Sequence, residues 1–114
     1  MKLNKKLHIL WTSGDKQTAH MMVFMYAINS LTNRWWDEVT VIVWGPAVKL
    51  AAEDVSVQDK IKMARDTGVD VSACISCAAQ FEVVDRLKEL GIGVVPWGAA
   101  LTELIQTNAP LITV

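Results

Sequence analysis

The chain has 114 residues, is 52% hydrophobic, and sets 11 Lys and Arg against 12 Asp and Glu for a net charge of −1. That length supports one core and one domain, residues 1–114, with subunit association a help in covering the remaining surface. The even mixing of charge excludes a basic face for nucleic acid and a polybasic membrane anchor, and two cysteines are too few to staple a secreted domain.

The start, Met1 to Trp11, places lysines ahead of an apolar run, as a signal peptide does. The run is short and passes straight into Thr12-Ser13-Gly14-Asp15 without a small-residue cleavage site, so it reads as a first strand, Leu7–Trp11, of a soluble cytoplasmic protein. Asp15 or Ser13 is placed to cap the helix that follows, about Lys16 to Leu31. Apolar residues occupy most of that helix's circumference, which predicts burial on several sides and a subunit interface.

A second apolar run, Val39 to Trp44, is rich in β-branched residues and stops at Gly45-Pro46. Pro46 to Ala52 reads as a short helix. Ser56-Val57-Gln58-Asp59 has the spacing of a capping box for a longer helix, whose C′ position suits Gly68. Glu53, Asp54, Asp59 and Asp66 read as solvated faces. Strand-like alternation from Val69 to Ala73 breaks at Cys74, and a helical pattern begins within a few residues and runs to Leu90-Gly91. Ile92 to Val95 is a fourth strand, closed by Pro96-Trp97-Gly98. A helix from about Ala99 to Gln106 and a strand from Leu111 to Val114 complete the chain.

Strands alternating with helices predict an α/β fold, a three-layer α/β/α sandwich around a five-stranded parallel sheet, because parallel neighbours need crossover connections. No repeat, linker or low-complexity stretch divides it. Ligands of such sheets bind beyond the carboxyl ends of the strands. Those ends carry Trp11, Ser13 and Gly14, then Trp44, Gly45 and Pro46, then Cys74, and finally Trp97, which together form the expected working rim.

Cys74-Ile75-Ser76-Cys77 is a C-x-x-C at the mouth of a helix. The positive end of a helix favours a thiolate and depresses its pKa. Cys77, followed by the small Ala78 and Ala79, is better placed for that help, and Cys74 is then an assisting or resolving thiol. The competing account makes both cysteines buried small hydrophobes. A zinc site lacks a second ligand pair, so no metal and no cofactor are expected. His20, early in the first helix, is a candidate base or donor at the rim, although a lone helical histidine is more often packed or solvated. Thr12-Ser13-Gly14-Asp15 reads as a capped turn ahead of an anion cradle, and no nucleotide-binding glycine pattern is present. Trp11, Trp44 and Trp97 either line a dry pocket or pack rim helices and a subunit contact. Met21, Met22 and Met25 read as core or interface filling.

Set beside Val43-Trp44-Gly45-Pro46, Gly68-Val69-Asp70-Val71 and Trp97-Gly98-Ala99-Ala100-Leu101-Thr102-Glu103, the cysteine turn Ala73-Cys74-Ile75-Ser76-Cys77-Ala78-Ala79 makes the whole chain resemble the DsrE/DsrF-like sulfur-relay family. The resemblance implies an α/β/α protein that holds sulfane sulfur as a cysteine persulfide or takes part in thiol redox reactions. It implies assembly into homo-oligomers, trimers or hexamers, and exchange with sulfur donor and acceptor proteins. The carrier cysteine it implies, ahead of a small-residue helix start, matches Cys77-Ala78-Ala79. The second cysteine, Cys74, differs from carriers with one cysteine here and is similar to a branch labelled peroxiredoxin-like. No arginine pair follows Ala79. An oligomeric binding module with inert thiols is the non-enzymatic alternative.

Overall fold

The computed structural model describes residues 5–114, so residues 1–4 of the lysine-led start lie outside it. The strands are β1 (Lys6–Trp11), β2 (Glu38–Val43), β3 (Asp70–Cys74), β4 (Gly93–Val95) and β5 (Leu111–Thr113). All pair in parallel, in the order β4-β3-β2-β1-β5. The helices are α1 (Lys16–Thr18) and α2 (Met25–Thr32), joined by a π-helical segment Ala19–Phe24, then α3 (Pro46–Glu53), α4 (Val55–Thr67), α5 (Ile75–Gln80), α6 (Val84–Glu89) and α7 (Trp97–Gln106). The α/β architecture with helices flanking a five-stranded parallel sheet is the one its strand and helix pattern predicts.

The two faces of the sheet are covered unequally, and the strand order explains it. The steps β1 to β2 to β3 to β4 all move the same way across the sheet, so right-handed crossovers put α1 through α6 on one face. The return from β4 to β5, at the far edge, carries α7 over the other. Alternate strand residues point to opposite faces. Leu7, Ile9, Trp11, Val39, Val41, Val43, Val71 and Ala73 meet Val23, Phe24, Val48, Ile61 and Leu87 in the hydrophobic core under the larger layer. Ile42, Ser72 and Cys74 occupy alternate positions and are buried as well, and Trp97 at the start of α7 donates its indole N–H to Ser72 Oγ at 2.8 Å.

Helix ends follow local chemistry. Asp15 caps α1 as expected, accepting from the Thr18 N–H at 2.8 Å. The α4 cap departs from the capping-box expectation. Asp54 is the N-cap and accepts from Val57 N–H at 2.9 Å, and Ser56, already inside the first turn, turns its hydroxyl back onto the same carboxylate at 2.6 Å. A charged acceptor at that position outcompetes a serine two residues later. Asp54 also meets Lys16 Nζ at 3.4 Å, so it ties α1 to α4 instead of lying on a solvated face. Gly68 takes φ +112 at the end of α4, which is the left-handed stop its position suggests.

Two helices differ from expectation. The predicted helix from the cysteine turn to Leu90 is two, separated at Phe81-Glu82-Val83, where Glu82 takes φ +60. The first helix differs in its middle, where Ala19–Phe24 is π-helical; it buries Ala19, Val23, Phe24 and Ala27 and leaves Met21 66% and Met25 52% exposed, the uncovered apolar surface its composition predicts for a single subunit.

Candidate functional site: the cysteine turn at the strand ends

The carboxyl ends of the central strands lie abreast, with Trp11 opposite Val43, Val43 opposite Ala73 and Cys74 opposite Val95. β3 passes into α5 without a loop, because Cys74 is both its last residue and the N-cap of the helix. Three residues on, Cys77 falls in the first turn, where backbone N–H groups have no partner within the helix. Both cysteines are free thiols; Cys74 is buried and Cys77 half-buried.

The Cys77 sulfur faces the neighbouring rim turn. Gly45, between β2 and α3, donates its backbone N–H to Cys77 Sγ at 3.3 Å. Burial pushes the Cys77 thiol above its ordinary range, the Gly45 N–H pulls it back, and the adjacent Cys74 thiol pushes it up again. This reverses the direction predicted from the helix mouth, since loss of hydration outweighs the partial charge of a one-and-a-half-turn helix. The site therefore presents a protected thiol with one donor aimed at it and a second thiol beside it.

A cleft of about 360 Å³ lies on the same rim, lined by Gly14, Pro46, Lys49, Leu50, Glu53 and Phe81; neither cysteine lines it, and it adjoins Cys77 through Pro46, next to Gly45, and through Phe81. Phe81 is held there through its N–H bond to the Cys77 carbonyl at 3.0 Å. A Cβ at Gly14 would stand 3.2 Å from Pro46 Cβ, so glycine lets the first rim turn close against the second. Phe81 and Lys49 were missed as site residues; the only sequence signal for Phe81 is its place one helical turn beyond Cys77. A larger groove of about 690 Å³, lined by Lys62, Arg65 and Asp70 among others, sits at the opposite ends of the strands and touches neither cysteine.

The remaining predicted rim residues divide. Trp11 is fully buried, edge-on to Phe24 with ring centroids 5.2 Å apart, and belongs to the core. Trp44 and Trp97 are half-buried. Trp97 is bound to Ser72 on the face that also carries Cys74. Ser13 Oγ accepts from the Asp15 N–H at 3.1 Å, and Thr12 donates its hydroxyl to the Val114 carbonyl at 3.0 Å, so the Thr12–Asp15 turn spends these polar groups on internal bonds. His20 Nε2 meets Ser56 Oγ at 3.0 Å, which joins it to the Asp54 cap and not to a cysteine. Among the described residues, no group of three or more His, Cys, Asp or Glu side chains is placed to hold a metal.

Comparison with known proteins places this geometry. Residues 5–114 match the sequence model of the DsrE/DsrF-like family, and the chain belongs to that family. A solved structure of a conserved protein of unknown function, BT1422 from Bacteroides thetaiotaomicron, superposes with a TM-score of 0.94 at 38% identity, covering 97% of this chain and 96% of that one. Among curated proteins there is no match. Among the described residues no helix is long and apolar enough to cross a membrane.

Proposed function

We propose that the protein is a sulfur carrier that holds sulfane sulfur on Cys77 and passes it between a donor and an acceptor protein. The observation that carries this reading is the half-buried Cys77 thiol at the strand rim with the Gly45 N–H on its sulfur at 3.3 Å; membership of the DsrE/DsrF-like family supports it. In the loading step the Cys77 thiolate attacks the outer sulfur of a donor persulfide, R–S–SH. The donor S–S bond breaks, R–S⁻ leaves, and the sulfane sulfur keeps its hydrogen as Cys77–S–SH. An acceptor thiolate then attacks that outer sulfur and returns Cys77 as thiolate. Neither step needs an external oxidant or reductant. Cys74 assists, and its two-sulfur arrangement with Cys77 also supports a second reading, a dithiol that closes to a reversible disulfide.

Free thiols suit a reducing compartment, and cytoplasmic placement is part of the proposal, as is assembly into a homo-oligomer. Intact-mass analysis after incubation with a sulfane donor tests the carrier: a gain of about 32 Da that disappears in Cys77→Ser supports it. No gain, or a gain retained in Cys77→Ser, sinks it. A loss of about 2 Da after mild oxidant, absent from the Cys74→Ala variant, selects the dithiol reading.

A further inference from the structure

Gly45 has φ +61 and ψ −139, the mirror image of the extended backbone that a following proline imposes on an L residue. Residues with a Cβ occupy this region only under strain. Space does not demand a glycine here, because no atom lies within 4 Å of where a Cβ would sit. The demand comes from what the conformation does with the peptide. The Gly45 carbonyl accepts from the Val48 N–H at 2.9 Å and starts α3, and the N–H is left pointing at Cys77 Sγ, 3.3 Å away.

We propose that Gly45 is a positioning residue for Cys77, its glycine-only conformation holding one backbone N–H on the sulfur to stabilise the anionic form that reacts. The inference rests on Cys77 being the reactive sulfur. A donor facing an anionic acceptor forms a stronger bond than one facing a neutral thiol, so the contact shifts the balance toward thiolate. Among the described residues, the influences on this sulfur are burial, the Gly45 N–H, the Cys74 thiol and the backbone N–H of Cys77 itself, and none of these is a cation. Of the charged groups on the adjoining α3, Lys49 and Glu53 line the neighbouring cleft and are opposite in sign. The Gly45 N–H, the larger of the two backbone influences that favour the anion, therefore carries most of the task that a lysine or histidine performs at many reactive cysteines.

The test is the pH profile of Cys77 alkylation by iodoacetamide, followed by mass spectrometry in a Cys74→Ala background so that one thiol reports. Gly45→Ala forces the peptide out of its mirror-image conformation. A semisynthetic chain with the Gly45 N–H replaced by an ester oxygen removes the donor and leaves glycine's torsions free. In both, the half-point is expected to move up by about one pH unit, a tenfold fall in thiolate at any lower pH. Urea unfolding establishes that each variant is folded, and the ester chain decides the matter if Gly45→Ala is not. An ester chain that is folded and keeps the parent profile overturns the inference and leaves the carrier reading intact. A parent protein whose Cys77 fails to alkylate at any pH overturns both.

Discussion

Trp97 reaches from the first turn of α7 to Ser72 in the middle of β3 and donates its indole N–H at 2.8 Å. Ser72 is 8% exposed, on the sheet face that α7 covers alone. No residue of α7 is fully buried, and this bond ties the half-buried start of the helix to the strand that leads to Cys74. Ser72→Ala is expected to strand the indole N–H and cost about 1 kcal/mol, read as a lower urea midpoint with an unchanged slope.

The cap on α4 makes a pH prediction. Asp54 is held at a pKa of about 2, against 3.8 for an ordinary aspartate, first by the Ser56 hydroxyl and then by the Val57 N–H. A carboxylate depressed in the folded state contributes stability above its unfolded pKa and loses it as pH falls through the folded one. The urea midpoint should therefore decline between about pH 4 and pH 2. Asparagine caps nearly as well as aspartate, so Asp54→Asn should keep the neutral midpoint close to that of the parent and flatten the acid decline, leaving the part due to Asp15. An acid limb identical to the parent's would rule Asp54 out as its source.

Cys74 acts on Cys77 even where it does not react. Its thiol raises the neighbouring pKa after burial has already done so, so Cys74→Ala should bring the half-point of Cys77 alkylation to lower pH and speed labelling at any pH below it. Burial, the larger cause, remains, and the half-point should still exceed that of an ordinary thiol. Alkylation rates followed by mass spectrometry across the alkaline range check both statements.

The exposed methionines bear on assembly. Met21 and Met25, one turn apart and 66% and 52% exposed, are costly to leave in water and suit a contact between copies. Light scattering of the wild type should give a multiple of 12.6 kDa. Replacing both methionines with glutamate should return it to the monomer mass. A wild type that already runs as a monomer would remove this surface from consideration.

Much of the architecture could be read from residues whose physics is local. The β-branched runs ended by Gly45-Pro46 and Pro96, the Asp15 cap and the Gly68 stop each act within a few residues, and each stands where its chemistry puts it. The cysteine turn was legible for the same reason: alternation ends at Cys74 and a small-residue helix begins. Several of the misses depend on distant groups. Trp11 has the alternation of a rim residue and the burial of a core one, because Phe24 arrives from another element. The break at Glu82 carries no glycine or proline to announce it. The direction of the Cys77 pKa is set by how much water the fold removes, which spacing does not reveal.

The wide turn at Ala19–Phe24 has a bearing on how the chain tolerates deletion. An α-helix advances each side chain by about 100°, and a stretch bonded at i to i+5 absorbs a residue that an ordinary helix would not. Upstream of it Lys16 pairs with Asp54, and downstream Tyr26 receives the Trp36 indole N–H at 3.1 Å. Remove one residue from the wide turn and the stretch can close to ordinary α-helix with both ends still seated on their partners, whereas a deletion in the α-helical part beyond it rolls one end through roughly a quarter of a revolution.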